Sequence, residues 1–149
     1  MSSPLAAPLP WDLVASAYAA EVAPVFDHFA KAALELAQVV RGDAIVDVAC
    51  GPGTLARRAA RMGVDVAAID FAPNMIARLN DHLAQEQLPV VATTGDGQAL
   101  PYADARFDAG FSMFGLMFFP DEQAALREVR RVLRLSLIHI SEPTRLRRI

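Results

Sequence analysis

Apolar residues from Trp11 to about Val40 recur at helical spacing, among them Leu13, Val14, Tyr18, Val22, Phe26, Phe29, Ala33 and Leu36. Pro24 interrupts this run, so the pattern predicts two amphipathic helices, the second ended by Arg41-Gly42-Asp43. The period then changes. Ala44-Ile-Val-Asp-Val-Ala49 is short, β-branched and nearly all apolar, which suits a strand buried on both faces of a parallel sheet. Cys50-Gly-Pro-Gly53 makes a turn, Thr54 is placed to cap a helix running to about Met62, and Gly63 closes that helix in the left-handed conformation. The unit repeats with a strand from Asp65 to Ile69, a turn at Asp70-Phe-Ala, and a helix from Pro73 to about Glu86. Pro89 to Thr94 reads as a third strand, Gly95-Asp-Gly97 as its exit turn, and Phe107 to Met113 as a fourth strand. Asp121 to Arg134 reads as a helix with Ala125, Val129, Val132 and Leu133 facing inward. Strands alternating with helices in this way predict an α/β fold, a doubly wound parallel sheet covered on both sides.

Composition narrows the partners. At 149 residues and 54 % hydrophobic, the chain can bury one globular core. Its net charge is -3, its acids and arginines are interspersed, and its one lysine is Lys31, so it has no basic stripe for a phosphate backbone. Nucleic acid is therefore not an expected partner. The first ten residues lack the basic start and apolar stretch of a secretory signal, and their prolines predict a disordered lead. The longest apolar run, Gly110 to Phe119, falls short of the roughly 18 residues a membrane helix needs, so no membrane partner is expected. The single cysteine, Cys50, excludes an internal disulfide and fits a reducing, cytoplasmic location.

In doubly wound sheets ligands bind beyond the carboxyl ends of the strands, and three of the turns there hold something specific. The first is Asp47-Val-Ala-Cys-Gly51-Pro-Gly53-Thr, where glycines let backbone approach a ligand and the next helix offers free N–H groups. The second holds Asp70. The third is Gly95-Asp96-Gly97, followed by Gln98-Ala-Leu-Pro-Tyr-Ala-Asp-Ala-Arg-Phe107-Asp108. With F-G-L-M-F-F-P-D and A-L-R-E-V-R-R-V-L-R further on, these strings occur in the order found in class I methyltransferases. Across residues 11 to 134 the chain resembles that family, specifically its small-molecule "type 11" members.

The resemblance implies a Rossmann-like domain using S-adenosyl-L-methionine, with a small-molecule methyl acceptor. Carried over by position, Asp47, Ala49, Gly51 and Gly53 would surround the methionine end, and Asp70 would take both ribose hydroxyls. Phe71 and Met75 would flank the adenine, Asp96 would accept from its amino group, and the Gly97 N–H would reach the ring. Ser112 and Met113 would lie under the methionine part, with Tyr18 closing over it. The cofactor is a sulfonium with an ammonium group, so a carboxylate near the first turn favours it and would repel a pyrophosphate. Gly51-x-Gly53-x-x-Ala56 with Asp70 downstream also fits the dinucleotide pattern, so a nicotinamide-dependent oxidoreductase stands as the alternative. A non-catalytic cofactor-binding fragment is a third reading.

Most of these residues have a structural reading as well. Asp96 between glycines suits a turn, Phe71 and Met75 suit a core, and Cys50 suits packing. His28 and His82 read as helix-surface residues, and Phe111 to Phe119 as core and lid. No general base or metal ligand set stands out. The last stretch, Leu135 to Ile149, looks like a translated transposase sequencing adapter where the family continues with a turn and a fifth strand. Three parts are therefore expected: a lead at 1–10, the domain at 11–134, incomplete at its C-terminus, and a non-native tail at 135–149. A divergent strand at 137–140 is the other reading of that tail. Ending at 134 would leave Phe107 to Met113 as an open edge and most of the acceptor wall missing, so the chain is expected not to turn over.

Overall fold

The structure, a computed structural model, describes residues 3–135. Four strands, β1 (Ala44–Val48), β2 (Asp65–Asp70), β3 (Val91–Thr94) and β4 (Ala109–Phe111), pair in the order β3-β2-β1-β4, all in parallel. The chain winds outward from β1 to β3 and then returns to the other side of β1, so the order reverses beside β1. Five helices accompany the sheet: α1 (Pro8–Ala17), α2 (Ala23–Leu36), α3 (Thr54–Arg61), α4 (Pro73–Glu86) and α5 (Glu122–Val132). The parallel α/β sheet expected from the alternating pattern, and its Rossmann-like form implied by the resemblance, are thus the observed ones.

Strand parity sorts the core into two layers. Ile45, Val66 and Ala68 face α2, α3 and α4, where they pack with Leu34, Leu55, Ala59, Ile76, Leu79 and Leu83. Val46, Val48, Ala67 and Ile69 face the other way, onto Leu100, Phe107 and Val132 of the α5 side. Burial on both faces is why β1 and β2 read as continuous apolar runs. Ion pairs stitch the outer helices: Arg58 with Asp27 of α2, and Arg57 and Arg61 both with Glu86 of α4. His82 is half-buried beside them, its Nδ1 3.1 Å from an Arg57 nitrogen, rather than the plain surface residue expected.

Several expected boundaries move, each for a local reason. The lead is not free of structure: Pro4–Ala6 forms a 3-10 turn and α1 opens at Pro8, because a proline in the first helical turn removes only N–H groups that have no helical acceptor. Pro24 does not end a helix either. The chain instead widens into one π turn, Tyr18–Val22, where the Ala23 N–H reaches back to the Tyr18 carbonyl, and α2 continues directly. Gly53, at φ 86°, occupies the N-cap of α3, so Thr54 is its first residue and caps nothing. Gly63 adopts the left-handed φ expected of it, 81°.

The fourth strand is shorter than its apolar run. Phe107 leaves the β1 ladder and bridges in parallel to Leu133, while the Arg134 N–H donates to the Phe107 carbonyl at 2.8 Å. Part of the edge expected to be open is therefore covered by the chain leaving α5. Leu135 is exposed, and the rest of the adapter-like stretch, with the strand suggested at 137–140, lies outside the described residues. Among the described residues no helix is long and apolar enough to cross a membrane.

Candidate functional site

Parity also explains why two acids meet. Asp47 shares the face of Ile45, and Asp70 the face of Val66 and Ala68, so both point from the C-terminal ends of β1 and β2 toward the α3 side. There they open on a cavity of about 590 Å³ beyond the strand ends. Asp70 is 6 % exposed; its Oδ2 accepts from the Gly51 N–H at 2.8 Å and its Oδ1 from the Ala72 N–H at 2.9 Å. Burial raises its pKa, and these backbone donors pull it partly back. Each oxygen keeps lone pairs for a ligand hydroxyl.

Asp47 is different. It is 1 % exposed, and neither carboxylate oxygen has a hydrogen-bond partner among the described residues. Burial pushes its pKa up to about 7; the nearby Ala56 N–H at the start of α3 tempers the rise and the Asp70 charge adds to it. A buried carboxyl left without a partner is costly, and such exceptions mark sites where something else supplies the partner. Cys50 beside it is buried, its thiol pushed well up by the same burial and by both acids, which leaves it a packing residue.

The glycine turn divides its work. A Cβ on Gly51 would meet nothing within 4 Å, so this is where backbone stands open to a ligand. A Cβ on Gly53 would fall 2.2 Å from Leu79 Cδ1, so Gly53 lets α3 and α4 pack rather than clearing room for a ligand, and it does not line the cavity. Ala49 does line it, in the left-handed region at φ 57°. Gly115 packs against that turn so tightly that its own Cβ would lie 2.4 Å from Ala49 Cβ.

The remaining sequence candidates divide in the same way. Phe71, Met75, Tyr18, Met113, Asp96 and Gly97 line the cavity. Met75 is also core, at 2 % exposure, packed with Ala15, Ala72, Trp11 and Phe71, so its two readings are compatible. Burial, then the Asp70 charge, raises the Tyr18 pKa. Asp96 is exposed and accepts from the backbone N–H of Gln98 at 2.8 Å, as a turn residue does. Gly97 is buried where a Cβ would lie 2.7 Å from Val48 and Phe119 atoms. Ser112 does not line the cavity, and its buried hydroxyl has no partner among the described residues.

Sequence reasoning read Phe111 to Phe119 as core and lid and, Tyr18 aside, missed the rest of the opposite wall. Trp11, Phe26, Phe114 and Phe118 line the cavity from α1, α2 and the segment after β4. Trp11 meets Phe118 at 5.0 Å between centroids, and Phe26 meets Phe114 at 4.8 Å. Asp12 was missed too: its carboxylate accepts from the Asn74 N–H at 2.7 Å and so fastens α1 to the start of α4. The apolar spacing of 11 to 36 is the signal that could have pointed to this wall, whereas a cap 62 residues away leaves none.

A glycine turn, an acid at the end of the second strand and a cavity beside the switch point are the features at which doubly wound α/β domains hold nucleoside cofactors. Residues 45–135 match the family described as the methyltransferase domain, and the chain belongs to it. Its Rossmann-like sheet is the fold of the class I members of that family. An uncharacterized protein of Mycobacterium tuberculosis is 40 % identical over 93 residues, 62 % of this chain and 34 % of that protein. The demethylmenaquinone methyltransferase of Corynebacterium kroppenstedtii is 38 % identical over 106 residues, 68 % of this chain and 44 % of the relative. The chain thus spans less than half the length of these relatives. Among solved structures, the 4+2 cyclase SpnF superposes with a TM-score of 0.69 at 30 % identity, covering 72 % of this chain and 41 % of that one. A SAM-dependent methyltransferase from Aquifex aeolicus shares the fold, with a TM-score of 0.65 at 21 % identity over 70 % of this chain and 58 % of its own.

Proposed function

We propose that the cavity binds S-adenosylmethionine and that the protein transfers its methyl group to a small organic acceptor. The observation that carries this reading is Asp47, a buried carboxyl without a partner on the cavity wall. Among the described residues no Lys, Arg or His lines that cavity, so a cationic ligand is what would complete it. The residues fit this cofactor. Asp47 faces its cationic end, with the Ala49 and Gly51 backbone and Met113 beside it. Asp70 keeps acceptor sites for two ribose hydroxyls while its other lone pairs hold the turn. Phe71 and Met75 flank the adenine, Asp96 and the Gly97 N–H meet its edge, and Tyr18 closes the near side.

When bound, the cofactor supplies a methyl group already activated on a sulfonium. The chain's part is then alignment and exclusion of water, and alignment alone can lower a barrier by roughly 7–11 kcal/mol. The fold alone does not fix the chemistry, since SpnF, a cyclase, shares it. The nicotinamide alternative finds no support at the site: Gly53 packs on Leu79, and Asp47 would repel a pyrophosphate.

Calorimetry with S-adenosylhomocysteine and NAD in parallel tests the proposal. The first should bind and the second should not. Asp70→Ala should weaken S-adenosylhomocysteine at least tenfold, because each charge-assisted hydrogen bond contributes about 1.5–3 kcal/mol and about 1.4 kcal/mol is tenfold. NAD binding by the parent, or unchanged affinity in a folded Asp70→Ala protein, would overturn it.

A further inference from the structure

The two sides of the cavity differ in chemistry. The strand-end side carries all three of its carboxylates, Asp47, Asp70 and Asp96. The side built by α1, α2 and the segment after β4 presents the rings of Trp11, Phe26, Phe114 and Phe118 and the thioether of Met117. The indole nitrogen there is already engaged. The Trp11 indole N–H donates to the Leu5 carbonyl at 2.9 Å, so the ring offers its face and edge alone. Gln98, the one carboxamide lining the cavity among the described residues, stands in the turn after β3 and is engaged as well, donating to Asp96 at 3.0 Å and accepting from the Asp121 N–H at 2.8 Å. The Tyr18 hydroxyl is the polar group left on the ring side.

From this asymmetry we infer that the methyl acceptor is a neutral, flat, apolar molecule, such as a phenol, held against the rings of Trp11, Phe26, Phe114 and Phe118. The inference rests on the reading of the strand-end side as the cofactor's. Aromatic rings favour a flat apolar guest through offset and edge-on contacts. A carboxylate or phosphate acceptor would enter a cavity lined, among the described residues, by three acids and no Lys, Arg or His, which its desolvation opposes. An amine would be attracted to the rings and the acids. As an ammonium, however, it has no lone pair to accept a methyl group, whereas a phenol oxygen keeps lone pairs while protonated. Its attack would form the O–C bond as the S–C bond breaks, the electron pair going to sulfur and the phenolic proton to solvent.

Trp11 is the only tryptophan of the chain, so its fluorescence reports on this wall directly. The chain, saturated with S-adenosylhomocysteine, is titrated with 2-naphthol, 6-hydroxy-2-naphthoate and 6-aminomethyl-2-naphthol. Quenching of Trp11 should show the neutral compound binding at least tenfold more tightly than either charged one. Met117 is 62 % exposed, so Met117→Arg should leave the fold intact. It should strengthen the naphthoate at least fivefold and so narrow its gap to naphthol. Equal or tighter binding of the anion or the amine overturns the inference, as does no naphthol binding by a chain that binds S-adenosylhomocysteine, or an unchanged naphthoate affinity in Met117→Arg. Preference for naphthol in a chain that fails to bind S-adenosylhomocysteine would support the aromatic wall and overturn the cofactor reading.

Discussion

Asp47 makes binding and folding compete. Its pKa in the folded chain is about 7, against 3.8 for an ordinary aspartate, so between those two pH values the native state holds a proton that the unfolded chain has released. Stability from this residue is therefore full below about pH 4, falls as pH rises toward 7, and is flat above. The difference corresponds to about 4 kcal/mol, at roughly 1.36 kcal/mol per pH unit. Other carboxyls change with pH as well, Asp27, Glu86, Asp108 and Glu128 being held low chiefly by arginine partners and backbone N–H groups, so the comparison must be with Asp47→Asn. The expected outcome is that the apo variant equals the parent near pH 4 and exceeds it by about 4 kcal/mol at pH 8 in urea unfolding. At pH 8 it should also bind S-adenosylmethionine more weakly. Equal stability of the two across that range would mean that Asp47 carries no unmet charge. This acid was legible in the sequence because it interrupts an apolar strand. The missing partner was not, since it depends on how the Gly51 turn and α3 sit around it.

At the level of elements, legibility followed how local each signal was. Helix α4 runs from Pro73 to Glu86 as read, because a proline at its start and regular apolar spacing are written in adjacent residues. The fourth strand was read too long because an apolar run does not say which neighbour each residue pairs with, and Phe107 pairs with Leu133, far along the chain. Gly53 joins both kinds of information: its turn was legible, its contact with Leu79 was not. Alanine there should cost about 1–2 kcal/mol for the left-handed backbone and a further ~1–3 kcal/mol for pressing on Leu79. Gly42 is the control, since it has a similar φ of 91° and nothing within 4 Å of where an added methyl would sit. Gly42→Ala should therefore show the backbone cost alone, and urea midpoints should fall clearly further for Gly53→Ala. Similar losses for the two would mean that α4 yields freely and that Gly53 serves the turn and nothing more.

For the molecule as a whole, the cavity is a junction of segments distant in sequence: α1 and α2, the turns after the first three strands, and the stretch from Met113 to Pro120. The sequence pointed to the three turns, because strand ends are where such sheets bind ligands. It pointed to the aromatic side only through the lid reading of Phe111 to Phe119 and through Tyr18, because helical spacing marks an apolar face without saying whether core or ligand covers it. Since these segments meet at one ligand, binding should hold the N-terminal helices and the sheet together as one cooperative unit. A ligand of the native state alone, at about a hundred times its Kd, stabilises by about 2.7 kcal/mol. For a chain of this size that corresponds to a rise of roughly 5–11 °C in the unfolding midpoint. S-adenosylhomocysteine should produce such a shift and NAD at the same concentration none. At one fixed ligand concentration the shift should also be larger at pH 8 than at pH 6, because the cationic end of the ligand requires Asp47 ionised and its pKa lies between. A shift that stayed the same across that pH range would separate binding from Asp47, and one produced by NAD instead would return the site to the dinucleotide reading.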